Sequence, residues 1–268
     1  MRVASMPMYD MPEVRDALDA LWSGLAHHLN REGLAEVPDT IVHDCTLSDL
    51  WNDPRLWVSQ CCGYDLVNRH ARALQPIATP HYAAPDCEGY QYTSVVVVTE
   101  DLDATDILSL RGAVCAINGR ESHSGMNALR ALVAPASHNG RFFSSVKVSG
   151  THAASLEMVG RGAADVAAID CVTYALVERY RPTLLAGTRR LGTTDRAPGI
   201  PYVTRCSEDE QTLARMRNAL HNTFADPQLA EVRQALLLND IEVLPPNAYD
   251  RIAEFQVLAA RYDYPELR

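Results

Sequence analysis

The chain has 268 residues, of which 47% are hydrophobic and 22% charged, so it can form one large domain or two lobes and is not extensively disordered. Its net charge is −10 and the sequence contains no stripe of basic residues, which argues against a nucleic-acid partner. No apolar run approaches the roughly 20 residues that a membrane-spanning helix needs, so we expect a protein that does not span a membrane.

Strand-like and helix-like segments alternate along the chain, which predicts an α/β fold with mostly parallel sheets. In the first part, strands at 3–9, 40–43 and 56–62 alternate with helices at 12–32, 47–51 and 63–67; Pro12 opens the first helix and Gly33 ends it. Strands at 77–79 and 92–99 then flank a loop whose tyrosines predict an aromatic lining, namely Tyr82, Tyr90 and Tyr92.

The next block is the densest in alternating elements. It contains strands at 111–117, 142–148 and 166–169 and helices at 125–133, 153–160 and 172–179. A strand at 202–204 and helices at 208–224, 228–238 and 248–260 complete the chain. We therefore predict a discontinuous lobe 1 formed by residues 1–92 plus 193–268, and an inserted lobe 2 formed by residues 93–192. Two crossovers between the lobes would act as a hinge.

Motifs of catalysis and of metal binding are missing from the sequence. There is no Gly-rich dinucleotide turn, phosphate-loop lysine, nucleophile elbow or zinc-binding His-Glu-x-x-His, so we predict no catalytic residue and no cofactor. Seven cysteines, an odd number, show neither a metal-ligand spacing nor a disulfide framework, so we expect reduced thiols and no bound metal.

Two short turns, each between a predicted strand and a predicted helix, are the most informative part of the chain. They are the run from Asn118 to Asn127, with Ser122-His123-Ser124-Gly125 at its centre, and Ser149-Gly150-Thr151-His152. First-turn amides of a helix lack intrahelical acceptors and lie at the positive end of its dipole, so they bind anions. Serine and threonine are also common N-caps, and for the first turn alone the two interpretations are about equally supported. Two such turns together favour an oxyanion site, in which His152 offers an N–H donor or a positive charge.

Four further residues are candidates for ligand contact because they end or border predicted strands. Asp170 follows the strand at 166–169, where open α/β sheets bind ligands; it could bind a ligand donor, orient His152 or cap the next helix. Tyr9, Gln60 and Tyr92 complete the predicted site.

At these residues the chain resembles the phosphate/phosphonate substrate-binding family of ABC transporters, which has a type II periplasmic-binding-protein-like fold. The resemblance covers about residues 90–205. Besides the two turns it rests on Phe142-Phe143, the run from Gly162 to Asp170 and the run from Pro198 to Pro201; Met8-Tyr9-Asp10 and the run from Gln60 to Tyr64 match more loosely. It implies a clamshell of two α/β lobes, each a mostly parallel sheet flanked by helices. The lobes would close on a small phosphate- or phosphonate-like anion held by the serine turn and His152, with an ABC transporter permease as partner.

The chain departs from the family pattern at several positions. His123 replaces the threonine usual in the serine turn, and Val172 and Ile200 stand where aminophosphonate binders carry carboxylates, so an aminoalkyl ligand would need Asp170 in that role.

The first residues lack the pattern of a secretory signal, which predicts a cytoplasmic protein, or a periplasmic one if a signal peptide has been removed. The alternatives are a cytosolic enzyme on the same fold, such as a menaquinone-pathway type lyase or hydrolase acting on a carboxylated metabolite, and a ligand-sensing interaction module.

Overall fold

A computed structural model describes residues 2–268 and contains twelve strands and nine α-helices within that range. The strands are β1 (Val3–Ala4), β2 (Leu56–Gln60), β3 (Leu74–Tyr82), β4 (Gln91–Tyr92), β5 (Ser94–Thr99), β6 (Val114–Ile117), β7 (Ser145–Val148), β8 (Val166–Asp170), β9 (Thr188–Thr193), β10 (Ala197–Pro198), β11 (Tyr202–Arg205) and β12 (Leu238–Glu242). The helices are α1 (Arg15–Arg31), α2 (Leu47–Asn52), α3 (Gly63–Asn68), α4 (Ala128–Val133), α5 (His152–Gly160), α6 (Cys171–Tyr180), α7 (Glu210–Ala225), α8 (Ala230–Ala235) and α9 (Asp250–Arg261). One π-helical turn, His123–Asn127, leads directly into α4.

The chain folds into two compact units. Unit 1 comprises the residues up to Ala83, Glu88–Tyr90 and Gly199–Ala248, and unit 2 comprises Ala84–Cys87, Gln91–Pro198 and Tyr249–Arg268. The predicted lobes differ from these units mainly at the C-terminus, because residues 249–268 pack within unit 2. The Asn127 amide donates to the Ile252 carbonyl at 3.1 Å, and Arg130 Nη1 donates to the Pro265 carbonyl at 2.5 Å. Such long-range bonds have no signature in the sequence.

Unit 1 is built on a five-stranded sheet of order β1-β2-β11-β3-β12. β1 and β2 are parallel, whereas β11 is antiparallel to both β2 and β3, and β12 is antiparallel to β3. Helix α1 packs against α7 and α8. It buries its apolar face as the 3.6-residue period predicts, through Leu18, Leu21, Trp22, Leu25 and Leu29.

Unit 2 is built on a five-stranded sheet of order β7-β6-β8-β5-β9. β6, β7 and β8 are parallel, and β5 runs antiparallel to β8 and β9. The four valines of β5, Val95–Val98, are at most 1% exposed, so this strand lies in the core of the unit. The predicted α/β class is confirmed, but the prediction of mostly parallel sheets is wrong: only the β1–β2 pairing is parallel in unit 1, and half of the pairings are antiparallel in unit 2. Among residues 2–268 no helix combines the length and apolar character needed to cross a membrane.

Two predicted strands are corrected by the structure. The strand predicted at 3–9 ends at Ala4, because Pro7 has no N–H for a ladder and begins a 3-10 turn, Pro7–Tyr9. The segment 40–43 is not a strand; it is held near β1 by a bond from the Val42 amide to the Ala4 carbonyl at 2.8 Å.

Besides the two-residue β10, two strands were missed by the sequence analysis. β9 contains Arg189 and Arg190, and charged residues are common on edge strands. β12 begins at Leu238, the last residue of the helix predicted at 228–238. The helix itself ends earlier, at Ala235, because Leu237 adopts the left-handed conformation with φ +57°. Both strands lie at sheet edges, where the apolar pattern is weakest.

Candidate functional site

The two predicted turns and Asp170 lie at one edge of the unit 2 sheet, where the parallel strands β6, β7 and β8 end. The π turn follows β6, helix α5 follows β7 and helix α6 follows β8. Each of these helical segments therefore begins at the carboxyl edge of the sheet, which is where open α/β folds place their ligands.

A side-chain cap defines each of the three helix starts. Ser122 Oγ accepts from the Gly125 amide at 3.0 Å, and Thr151 Oγ1 accepts from the Ala154 amide at 3.0 Å. Asp170 Oδ1 accepts from the Val172 and Thr173 amides at 2.8 and 3.0 Å. The capping role that the sequence left open is therefore present at Ser122, Thr151 and Asp170. At the Ser122 and Thr151 starts the cap bond leaves the first two amides of the turn as donors outside the helix, whereas at α6 the Cys171 amide donates to the Thr93 carbonyl.

The two turns meet through a contact between Ser124 and His152. Ser124 Oγ lies 2.9 Å from His152 Nε2, and the hydroxyl of Ser94 fixes the same turn by donating to the Ser124 carbonyl at 2.9 Å. Ser124 is only 6% exposed. The serine turn and the histidine turn thus form one hydrogen-bonded unit.

Burial determines the charge of His152. It lowers the pKa of the imidazole to about 4, so the ring is neutral near pH 7. Its Nδ1 atom is buried and has no hydrogen-bond partner among residues 2–268, as expected if Nδ1 carries no proton. In that tautomer the ring proton lies on Nε2 and is donated to Ser124 Oγ, which leaves the Ser124 hydroxyl hydrogen available as a donor.

Asn118 is a candidate site residue to which the sequence analysis gave no role. It directly follows β6, and its Oδ1 atom is buried without a hydrogen-bond partner among the described residues. A Cβ atom at Gly125 would lie 1.9 Å from this Oδ1 and 3.2 Å from His152 Cε1. Only glycine therefore lets the Asn118 amide and the His152 ring approach the start of the π turn. The position of Asn118 at the end of a strand was the signal that could have revealed it.

His123 has a different environment from the other members of its turn. Its side chain is 2% exposed, its ring lies edge-on to Phe255 at 5.1 Å, and the Tyr92 ring lies 6.1 Å away. The Asn127 amide lies 3.1 Å from His123 Nδ1, and burial, with a smaller effect of Arg251, lowers the pKa of the imidazole to about 3. His123 is thus packed as a neutral core residue of unit 2. Its backbone N–H is a first-turn amide that the Ser122 cap bond does not use.

The remaining predicted site residues, Tyr9 and Gln60, belong to unit 1. Gln60 Oε1 accepts from the Met8 amide at 3.4 Å, and Gln60 Nε2 lies 3.4 Å from the Tyr82 hydroxyl. The Tyr9 and Tyr82 rings form an edge-on pair at 5.2 Å. The structure therefore brings Tyr9 and Gln60 together around Tyr82, and in unit 2 it brings Ser122, Ser124, Gly125 and His152 together around Asn118.

Comparison with solved structures shows the fold of the chain. PhnD1 from Prochlorococcus marinus, solved in complex with methylphosphonate, superposes with a TM-score of 0.74 at 15% identity, covering 96% of this chain and 97% of that one. A binding protein component of an ABC phosphonate transporter from Pseudomonas aeruginosa gives 0.75 at 13% identity, covering 98% and 87%. XAC2383 from Xanthomonas citri, bound to ATP, gives 0.73 at 15% identity, covering 98% of each chain. The two-lobed periplasmic-binding-protein fold expected from the sequence is confirmed.

The family is shown by a sequence model. A search of curated proteins finds no significant relative. The family model for the periplasmic phosphonate substrate-binding proteins of ABC transporters matches residues 7–247, nearly the whole chain. The resemblance stated from the motifs is thereby confirmed, and this chain belongs to the periplasmic phosphonate substrate-binding family of ABC transporters.

Proposed function

We propose that this protein binds a small phosphonate- or phosphate-like oxyanion without transforming it. Family membership and the fold shared with a methylphosphonate complex support this proposal. The observation that carries it is the 2.9 Å contact between Ser124 Oγ and His152 Nε2, which joins two helix starts at one edge of the sheet. This arrangement supplies a hydroxyl donor and first-turn amides around one point.

The chemistry of this edge suits an anion even though the protein carries a net charge of −10. Local dipoles and oriented N–H groups determine the potential in a pocket, whereas net charge acts at long range. No formal positive charge is required of His152, because a neutral imidazole that donates to Ser124 polarises the serine hydroxyl toward the ligand.

The same geometry argues against an enzyme. A general acid or base needs a pKa near the working pH and a position next to the reacting atom. Asp170 Oδ1 is engaged by two backbone amides, and burial keeps the pKa of His152 at about 4. Neither group has the setting of an acid–base catalyst at neutral pH.

Calorimetric titration with methylphosphonate, inorganic phosphate and sulfate tests the proposal. We expect saturable binding of methylphosphonate or phosphate. The Ser124→Ala variant should weaken it by about 1–3 kcal/mol, the range for a hydrogen bond to a charged group. The control is Ser145→Ala, which removes an exposed hydroxyl in strand β7. No binding of any of the three anions, or equal affinity in both variants, would refute this site.

We further propose that the protein acts in the periplasm and passes its ligand to an ABC transporter permease. The family model describes periplasmic transporter components, which supports both parts. Deleting the gene in the source organism should reduce uptake of methylphosphonate, and fractionation should recover the protein from the periplasm. Recovery from the cytoplasm with unchanged uptake would contradict this assignment.

A further inference from the structure

Two cysteine side chains of unit 2 face each other at close range. The Sγ atoms of Cys87 and Cys171 lie 3.4 Å apart, although the two residues are 84 positions apart in the sequence. Both are free thiols in the structure. A disulfide requires the sulfurs to approach to about 2.05 Å, so a shift of little more than an ångström separates this pair from a covalent bond.

The fold, rather than a chance side-chain rotation, holds both cysteines in place. Cys171 is the first residue of α6, and its amide donates to the Thr93 carbonyl at 3.1 Å. Cys87 ends the segment Ala84–Cys87, and its amide donates to the Ala84 carbonyl at 3.2 Å. The neighbouring Asp86 pairs with Arg190, which ties the segment to strand β9. Both backbones are therefore anchored within unit 2.

Three other cysteines have oxygen atoms as neighbours instead. Cys45 Sγ lies 3.6 Å from Ser5 Oγ, Cys61 Sγ lies 3.5 Å from the Cys62 carbonyl and Cys115 Sγ lies 3.6 Å from the Ala116 carbonyl. The pair formed by Cys87 and Cys171 is therefore distinct from these thiols. The sequence does not reveal this pair, because an odd number of cysteines without a disulfide framework indicates only reduced thiols.

We propose that Cys87 and Cys171 are an oxidative modification site and form an intramolecular disulfide when the protein meets a disulfide oxidant. One thiol loses its proton and attacks the oxidant, which releases one reduced thiol and leaves a mixed disulfide. The second cysteine, also deprotonated, then displaces the second reduced thiol. The chain loses two protons and two electrons, and the oxidant RSSR becomes two RSH. The new bond ties segment Ala84–Cys87 to the start of α6, next to Asp170.

The surroundings of the pair predict when the bond forms. The contact with the Cys171 thiol raises the pKa of the Cys87 thiol, and burial and the carboxylates of Asp170 and Asp86 raise it further. The attacking species is the thiolate, so exchange should be slow in the native protein and faster during folding. Once formed, the bond should stabilise the protein, because it closes a loop of 84 residues in the unfolded chain.

The experiment is to refold the full chain in a mixture of oxidised and reduced glutathione and to count thiols with a maleimide under denaturing conditions. We expect five reactive thiols, the seven cysteines less the two joined, and a tryptic peptide linking Cys87 to Cys171. We also expect a higher melting temperature that falls when reductant is added. Cys171→Ser should abolish the linked peptide and the reductant-dependent shift.

Cys206→Ser is the matched control, because Cys206 is exposed and should leave the linkage intact. If Cys171→Ser does not fold, the thiol count and peptide map of the wild-type protein still decide the question. Seven reactive thiols after oxidative refolding, or a linked peptide containing a different pair of cysteines, would overturn the proposal.

Discussion

His123 and His152 lie within one hydrogen-bonded region but have different roles. Burial holds the pKa of His123 at about 3 and that of His152 at about 4, so both rings are neutral near pH 7. His152 contacts Ser124, whereas His123 packs against Phe255 in the core. The sequence shows two histidines beside two helix starts. Only the structure shows that His152 faces the serine hydroxyl and that His123 is a core residue.

The neutral state of His152 predicts how ligand affinity depends on pH. Because the ring does not titrate between about pH 5.5 and about pH 8.5, the ratio of wild-type to His152→Gln affinity should stay constant across this range. The ligand's own ionisation affects both proteins equally and cancels in the ratio. We expect the variant to bind about 2–10-fold more weakly, the effect of one neutral hydrogen bond. Calorimetric titration at several pH values measures this ratio; a ratio that falls as pH rises would show that an imidazolium binds the anion.

The buried neutral His123 predicts a loss of stability in acid. Its pKa is lower in the folded chain than the ordinary value near 6.5, so below pH 6.5 the unfolded chain binds a proton that the folded chain does not. The free energy of unfolding should therefore fall by about 1.4 kcal/mol per pH unit from this residue alone as pH drops from about 6 to about 4. His123→Phe keeps an aromatic ring beside Phe255 and should remove that slope.

Urea unfolding of wild type and His123→Phe at several pH values measures the difference. His152 contributes the same pH dependence to the free energy of unfolding of both proteins. This contribution therefore cancels when the two curves are subtracted. Asn127 keeps an acceptor in the variant, because its amide also donates to the Ile252 carbonyl. Parallel curves from pH 6 to pH 4 would show that His123 is protonated in the folded protein.

The sequence predicted part of the candidate site, and the reason differs from residue to residue. Ser124 and His152 were predicted because helix starts have a recognisable cap pattern. The buried Oδ1 of Asn118 and the hydroxyl of Ser94 were missed, since a single polar residue at a strand end has no such pattern. Their importance arises from contacts with the serine turn that exist only after folding.

Among the individual elements, the π turn His123–Asn127 has a geometry that depends on a single glycine, Gly125. Gly125→Ala would place a methyl group 1.9 Å from Asn118 Oδ1, so the side chain of Asn118 and the turn must move apart. We expect a loss of about 1–3 kcal/mol in stability, as for other overpacked sites, together with weaker anion binding. Thermal unfolding and calorimetric titration measure the two effects.

Gly119→Ala is a close control, because a Cβ atom at Gly119 meets nothing within 4 Å. It should leave stability and binding nearly unchanged. Adding Asn118→Ala to Gly125→Ala removes the clashing oxygen and should restore most of the stability lost in the single variant. An additive effect of these two substitutions would mean that they do not interact.

Helices and central strands were predictable from the sequence, whereas the polar edge strands β9 and β12 were not. Helix α1 has a regular apolar period and ends before Gly33, which adopts φ +76°, so its end follows from its residues; its predicted start at Pro12 is instead a 3-10 turn, Pro12–Val14. Strands β9 and β12 each have one unpaired edge and carry mainly polar residues, so nothing local distinguishes them from loops.

In the molecule as a whole, the C-terminal segment determines where one compact unit ends and the other begins. Residues 249–268 were predicted in lobe 1 but pack within unit 2, where Phe255 is 3% exposed and its ring touches His123. Tertiary contacts of this kind, rather than order along the chain, define the units. Each unit has its own sheet and its own buried aromatic residues.

This organisation predicts that core substitutions act on one unit at a time. Phe255→Ala should destabilise unit 2 by about 3–5 kcal/mol, the usual effect of deleting a buried aromatic side chain. Phe224→Ala, in helix α7 of unit 1, is the matched substitution, because Phe224 is 6% exposed. Native-state hydrogen exchange resolves local unfolding by cooperative unit. In Phe255→Ala we expect faster exchange in β5, β6 and β8 with β2 and β3 unchanged, and in Phe224→Ala the reverse. Equal acceleration in both sheets by either substitution would show that the two units unfold as a single cooperative structure.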